Sequence, residues 1–187
     1  MKSITVFCGS RPGEHDDYLN DALRVTEELV KRGITLIYGG GNIGLMGAIA
    51  NRALERGGKV IGVIPEILIE KELAHEQLTE LHQVSNMMER KIKLTELADG
   101  FVVLPGGIGT LDELSEEMAL NHIGHQNKPI ALLNTRDYYN HLMTFLKHTH
   151  SEGFLPAHLY NHLIIERHPE TLVDKIISRG LSFSPRN

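Results

Sequence analysis

The chain has a single cysteine, Cys8, among 187 residues. No internal disulfide is possible, and a reducing, cytoplasmic compartment fits that usage. Basic charge is not in excess: 19 Lys and Arg stand against 24 Asp and Glu, a net charge of −5. Coating a nucleic-acid polymer needs a basic surface, so no such partner is expected, although one local anion pocket is compatible with the balance. Long apolar runs are missing too. No stretch reaches the roughly 20 residues of a membrane helix, so no membrane partner is expected. The apolar residues 4–7 behind Met1-Lys2-Ser3 are strand-sized and lack a signal-peptide core. With neither internal repeats nor a low-complexity linker, residues 1–187 read as a single domain.

What is present is an alternation of short apolar runs with longer amphipathic ones. It predicts strands at 4–8, 34–38, 60–64, 101–104, 130–133 and 163–166, and helices at 16–32, 43–56, 87–98, 111–123, 138–150 and 171–178. The polar, Glu-rich segment 68–84 reads as loop plus a short strand. This β-α order implies an α/β fold, a doubly wound parallel sheet with helices on both faces. The near-continuous apolar strands fit burial on both sides. Ligands in such folds bind beyond the carboxyl ends of the strands, so the turns there carry the functional argument.

Two glycine-rich turns stand at such ends. Gly39, Gly41 and Gly44 match G-x-G-x-x-G, with Gly40 between them, and Glu66 follows 22 residues after Gly44. Glycines there would let backbone N–H groups approach a phosphate, but the pattern equally suits a tight strand-to-helix turn. The second turn, Pro105-Gly106-Gly107-Ile108-Gly109-Thr110, is the stronger feature. Backbone N–H groups of Gly107 to Thr110 can converge on an anion, with the Thr110 hydroxyl adding a donor. No lysine follows the last glycine, so this is not a Walker loop, and a monophosphate suits it better than a triphosphate with Mg²⁺. Thr110 and Glu113 also fit an N-terminal capping box. The functional alternative places the Glu113 carboxylate beside the phosphate, over the sugar.

Upstream, Asn86 is a plausible helix cap, followed by Arg90, Lys91 and Lys93. Cations in a first helical turn oppose the helix dipole, which hints at an anionic partner. Arg90 is the better site candidate because its planar fork grips phosphate or carboxylate. Ser10 and Arg11 follow the first strand within reach of a ligand. The 11 histidines, including His122/His125 and His148/His150, lack a clear third ligand, so no metal is assigned. Cys8 reads as a small buried residue rather than a nucleophile.

Together these stretches resemble the LONELY GUY (LOG) family, the cytokinin riboside 5'-monophosphate phosphoribohydrolases, often mislabelled lysine decarboxylases. The resemblance runs from about Lys2 to about Phe154. It rests on Val6-Phe7-Cys8-Gly9-Ser10, on Tyr38-Gly39-Gly40-Gly41 with Gly44-Leu45-Met46-Gly47, and on Val60-Ile61-Gly62-Val63-Ile64-Pro65. Most specific are Arg90-Lys91 and, 23 residues from Arg90 to Glu113, Pro105-Gly106-Gly107-Ile108-Gly109-Thr110-Leu111-Asp112-Glu113. It implies a Rossmann-like homodimer, or a higher assembly of dimers, that hydrolyses nucleoside 5'-monophosphates to free base and ribose 5-phosphate without a cofactor. By the same resemblance Arg90 and Glu113 match the catalytic pair, and Pro105 to Thr110 the phosphate turn. Glu72, Lys91, Gly40, Gly41 and Ser10 are further substrate-binding candidates. The chain departs from the family pattern at Met87-Met88-Glu89 and at Leu120-Asn121-His122-Ile123-Gly124. A non-catalytic nucleotide carrier on the same fold is the alternative, although a pure binder needs only the turn, not Arg90 and Glu113.

Overall fold

The computed structural model describes residues 1–182, apart from the side chains of 70–72 and 181–182. Seven parallel strands form one sheet in the order β4-β3-β2-β1-β5-β6-β7. They are β1 (Ser3–Phe7), β2 (Thr35–Tyr38), β3 (Val60–Pro65), β4 (Glu80–Val84), β5 (Phe101–Val103), β6 (Ile130–Leu133) and β7 (Leu163–Glu166). The chain winds outward from β1 in one direction through β2 to β4, then returns to β5 on the other side of β1. The switch point therefore lies between β1 and β5, where doubly wound sheets leave a crevice.

The helices are α1 (Asp16–Lys31), α2 (Gly44–Glu55), α3 (Glu66–Glu72), α4 (Met87–Leu97), α5 (Ile108–His122), α6 (Asn140–Ser151), α7 (Ala157–His162) and α8 (Pro169–Ser182). Two cores flank the sheet. One joins Ile4, Val6 and Leu36 to Leu29, Ile49 and Ile176, from α1, α2 and α8. The other joins Phe7, Ile37 and Val103 to Leu94 of α4 and Leu114 of α5. Alternate strand residues feed opposite cores, as the period of two requires.

The predicted doubly wound sheet is thus the observed one. The segment 68–84 resolves into the end of α3, a connection, and edge strand β4. The helix expected at 138–150 is α6, Asn140–Ser151, and a 3-10 turn at Thr135–Asp137 precedes it. Helix α7 had no counterpart among the expected elements. The correction that matters most for function is α5, which starts at Ile108, three residues before the expected 111, with Gly107 as its N-cap residue.

Candidate active site

The β1 and β5 ends are stitched together at the crevice. Leu104 N–H donates to Phe7 O at 2.9 Å, and Gly9 N–H to Pro105 O at 3.1 Å. A Cβ at Gly106 would lie 2.9 Å from Gly9 N and collide with the Thr110 side chain, so this crossing tolerates only glycine. Two tyrosines after β6 brace the turn from the far side. Tyr138 Oη donates to Gly106 O at 2.6 Å, and Tyr139 Oη to Leu104 O at 2.7 Å. Burial pushes the Tyr139 phenol far up, so it stays protonated and remains a donor. The sequence reading missed both tyrosines, since nothing local marks them as partners of a turn about 30 residues upstream in the chain.

Because α5 begins at Ile108, the N–H groups of Ile108, Gly109 and Thr110 precede the first i→i−4 bond, which Leu111 makes to Gly107 O at 3.1 Å. They open, with the positive end of the helix dipole, onto a cavity of about 210 Å³. A Cβ at Gly107 or Gly109 would meet nothing within 4 Å, so the anion-facing side is open. The early start overturns the capping-box expectation. Thr110 lies inside the first turn and is buried, and Glu113 is a full turn further on, so neither occupies its cap position. A true cap of that kind occurs on α4: Asn86 Oδ1 accepts from Glu89 N–H at 3.0 Å, and Glu89 Oε2 accepts from Ser85 N–H at 3.0 Å.

Arg90, in the first turn of α4, is 6% exposed. Its Nε donates to Val63 O at 3.2 Å, and a terminal nitrogen donates to Gly39 O at 3.0 Å. The guanidinium is therefore held by the carboxyl ends of β3 and β2. A Cβ at Gly39 would overlap it. This reassigns the first glycine turn. Gly39 makes room for Arg90; Gly40 (φ +80°) packs on Val63 and Ile64, and its carbonyl accepts from His75 N–H at 3.0 Å. Gly41 bridges Ala74, and Gly44 (φ +57°) abuts the Ser10–Arg11 backbone. Gly40 and Gly41 are thus taken up by packing and do not line the cavity.

The cavity gathers Ser10, Gly107, Ile108, Gly109, Thr110, Arg90 and Glu113, with Cys8 and Met46 deeper in its wall. Pro105 and Gly106 instead face a second, neighbouring cavity. Lys91 does not line it. Its ammonium bridges Asp112 at 2.8 Å and Glu116 at 2.7 Å, tying α4 to α5, and the two carboxylates raise its pKa, Asp112 foremost. Glu72 closes α3, but its side chain lies outside the described residues. Deeper between the same helices, Glu117 is buried and accepts from Thr95 Oγ1 and Gln126 Nε2. Burial raises its carboxyl pKa, against the opposing pull of those two hydrogen bonds. No cluster of three metal-binding side chains occurs among the described residues.

A helix N-terminus, a fixed guanidinium and a carboxylate line one cavity at the switch point of a doubly wound sheet, the place where α/β proteins of this class bind their ligands. Comparison with known proteins narrows this. A family profile described as "Possible lysine decarboxylase" matches residues 46–176. The cytokinin riboside 5'-monophosphate phosphoribohydrolase of Rhodococcoides fascians is 43% identical over 165 residues, 88% of this chain and 83% of that protein. LOG5 of Arabidopsis thaliana, of the same name, is 40% identical over 176 residues, 94% of this chain and 77% of that protein. The chain belongs to the LOG family. The fold is also that of the molybdenum cofactor binding protein from Rippkaea orientalis (TM-score 0.71, 19% identity, covering 96% of this chain and 98% of that one). The molybdenum cofactor carrier protein of Chlamydomonas reinhardtii shares it as well (TM-score 0.70, 16% identity, 97% and 98%).

Proposed function

We propose that this protein hydrolyses the N-glycosidic bond of adenine-type or cytokinin-type nucleoside 5'-monophosphates, giving free base and ribose 5-phosphate. One observation carries the reading: Arg90 and Glu113, from two different helices, line the same cavity as the open N-terminus of α5. A carrier needs the anion site alone. The names of the relatives from R. fascians and A. thaliana support the same reaction.

In this reading the Ile108, Gly109 and Thr110 N–H groups hold the 5'-phosphate, with the Ser10 and Thr110 hydroxyls as further donors. The ribose then lies along α5 toward Glu113, one turn beyond. As the C1'–N bond lengthens, its electron pair leaves with the base and positive charge builds on the ribose. The Glu113 carboxylate stabilises that charge and takes a proton from the water whose oxygen bonds to C1'. That proton passes on to the departing base, so the water is divided between C1' and the base and the Glu113 carboxylate is regenerated. Arg90 keeps its charge throughout, since a guanidinium is too weak an acid to protonate the base, and acts by orientation and hydrogen bonding. Lys91 serves indirectly, by fixing α4 against α5.

Two further elements belong to this reading. The exposed Met88 and Ile92, one turn apart on α4, form the face on which a second copy would pack as a homodimer. A cytoplasmic location belongs to the reading as well, and no helix among the described residues is long and apolar enough to cross a membrane. The test is Glu113→Gln. It should bind AMP as the parent does but release adenine about 10²–10⁴-fold more slowly. Unchanged turnover would remove Glu113 from the mechanism.

A further inference from the structure

A second cavity, of about 360 Å³, adjoins the first and exceeds it in size. The two share Gly9, Ser10 and Gly107, so they meet at the β1 and β5 loops where the phosphate is placed. Arg90 and Glu113 line only the first. In the reading proposed above, the scissile bond and the departing base belong to that side, and the second chamber lies across the phosphate from the reaction. A nucleoside monophosphate leaves it unused.

Two aromatic side chains line the chamber. Tyr18 and Tyr138 meet edge to face, with centroids 5.8 Å apart and planes at 79°. Tyr138 is pinned by its bond to Gly106 O and by an edge contact with Tyr139 at 5.0 Å. Tyr18 rests on Gly13 (φ +83°), where a Cβ would come within 2.7 Å of the ring. Leu45 adds apolar wall, and Arg11 adds a cation. Aromatic walls of this kind stack bases, and a guanidinium suits a second phosphate.

We infer that the second chamber binds an aromatic group carried on the substrate's 5'-phosphate, so that 5',5'-pyrophosphate-linked dinucleotides are ligands of this protein. One nucleoside occupies the Glu113 chamber, the pyrophosphate spans Ser10 and Gly107 with Arg11 on its outer phosphate, and the second base enters the Tyr18–Tyr138 chamber. The inference rests on the proposed phosphate position, but its test reads binding rather than turnover.

The experiment is calorimetric titration of the full chain with AMP and with P1,P2-di(adenosine-5') pyrophosphate, in a Glu113→Gln background that slows cleavage during the titration, with Tyr18 intact (the parent of this comparison), Tyr18→Ala or Tyr18→Leu. The parent should bind the dinucleotide at least about tenfold more tightly than AMP, and Tyr18→Ala should weaken the dinucleotide about 5- to 150-fold, the range of base–aromatic stacking. AMP affinity should not change. Tyr18→Leu keeps the bulk without the flat face, so it should show the same selective loss, and it serves if the alanine variant does not fold. Equal affinities for the two ligands in the parent would overturn the inference, as would variants that weaken both ligands alike or neither. Failure of the hydrolase reading has a separate signature: AMP binds but releases no adenine.

Discussion

Arg90 and Gly39 act as one unit across 51 residues of sequence. The guanidinium lies where a Gly39 side chain would be, so Gly39→Ala must displace it from the Gly39 and Val63 carbonyls. We expect Gly39→Ala to lower kcat by at least about tenfold, the cost of a misplaced catalytic group, with circular dichroism unchanged. A Gly39→Ala enzyme of full activity would separate Arg90 from catalysis. Glu117 offers a test through pH. Burial raises its pKa above the ordinary 4.5, so the native state holds this proton where the unfolded chain has lost it. Its contribution to stability is complete below the unfolded pKa and is lost as pH rises through the raised native value. Glu117→Gln escapes that loss. Its melting temperature should match the parent near about pH 4 and exceed it by a margin that widens as pH rises toward about 7. A gap that does not widen with pH would contradict the assignment.

At the scale of elements, α4 and α5 carry the two candidate catalytic side chains and are tied by Lys91 to Asp112 and Glu116. Asp112 is half-exposed, so the ties contribute little to stability, within about 1 kcal/mol. Their expected effect is geometric. Lys91→Met should lower kcat severalfold with little change in AMP affinity or melting temperature. A rise in KM alone would instead make Lys91 a substrate ligand. The α5 boundary shows what the sequence could not reveal. Three glycines in five residues read as a turn, which placed the helix start at Leu111 and made Thr110 a cap. The observed helix absorbs Gly109 and Thr110 because the Gly9–Pro105 crossing and the two tyrosines fix its entry, and these are long-range contacts. The apolar strands were legible because each is buried on both faces. The short helices α3 and α7 were not, since so few residues carry no clear period. Similarly, Gly39 looked like part of a phosphate loop because its reason for being glycine, Arg90, comes from another element. The departure at Leu120–Gly124 falls at the far end of α5, about 18 Å along the axis from Thr110 at 1.5 Å per residue, so it does not touch the phosphate end of its own site.

At the scale of the whole molecule, the sheet order brings the β1 loop, the α4 arginine and the α5 helix start to one switch point, and that convergence is the central claim. The exposed α4 face bears on assembly. Light scattering should give twice the chain mass of 20.9 kDa, and Ile92→Asp should shift it toward the monomer. A monomeric parent would refute the dimer. The most direct test of the central claim is product analysis after incubating the purified protein with AMP and no added cofactor. Adenine and ribose 5-phosphate should form in equal amounts, both slowed about 10²–10⁴-fold by Glu113→Gln. Bound AMP recovered intact, or release of adenosine and inorganic phosphate instead, would contradict it.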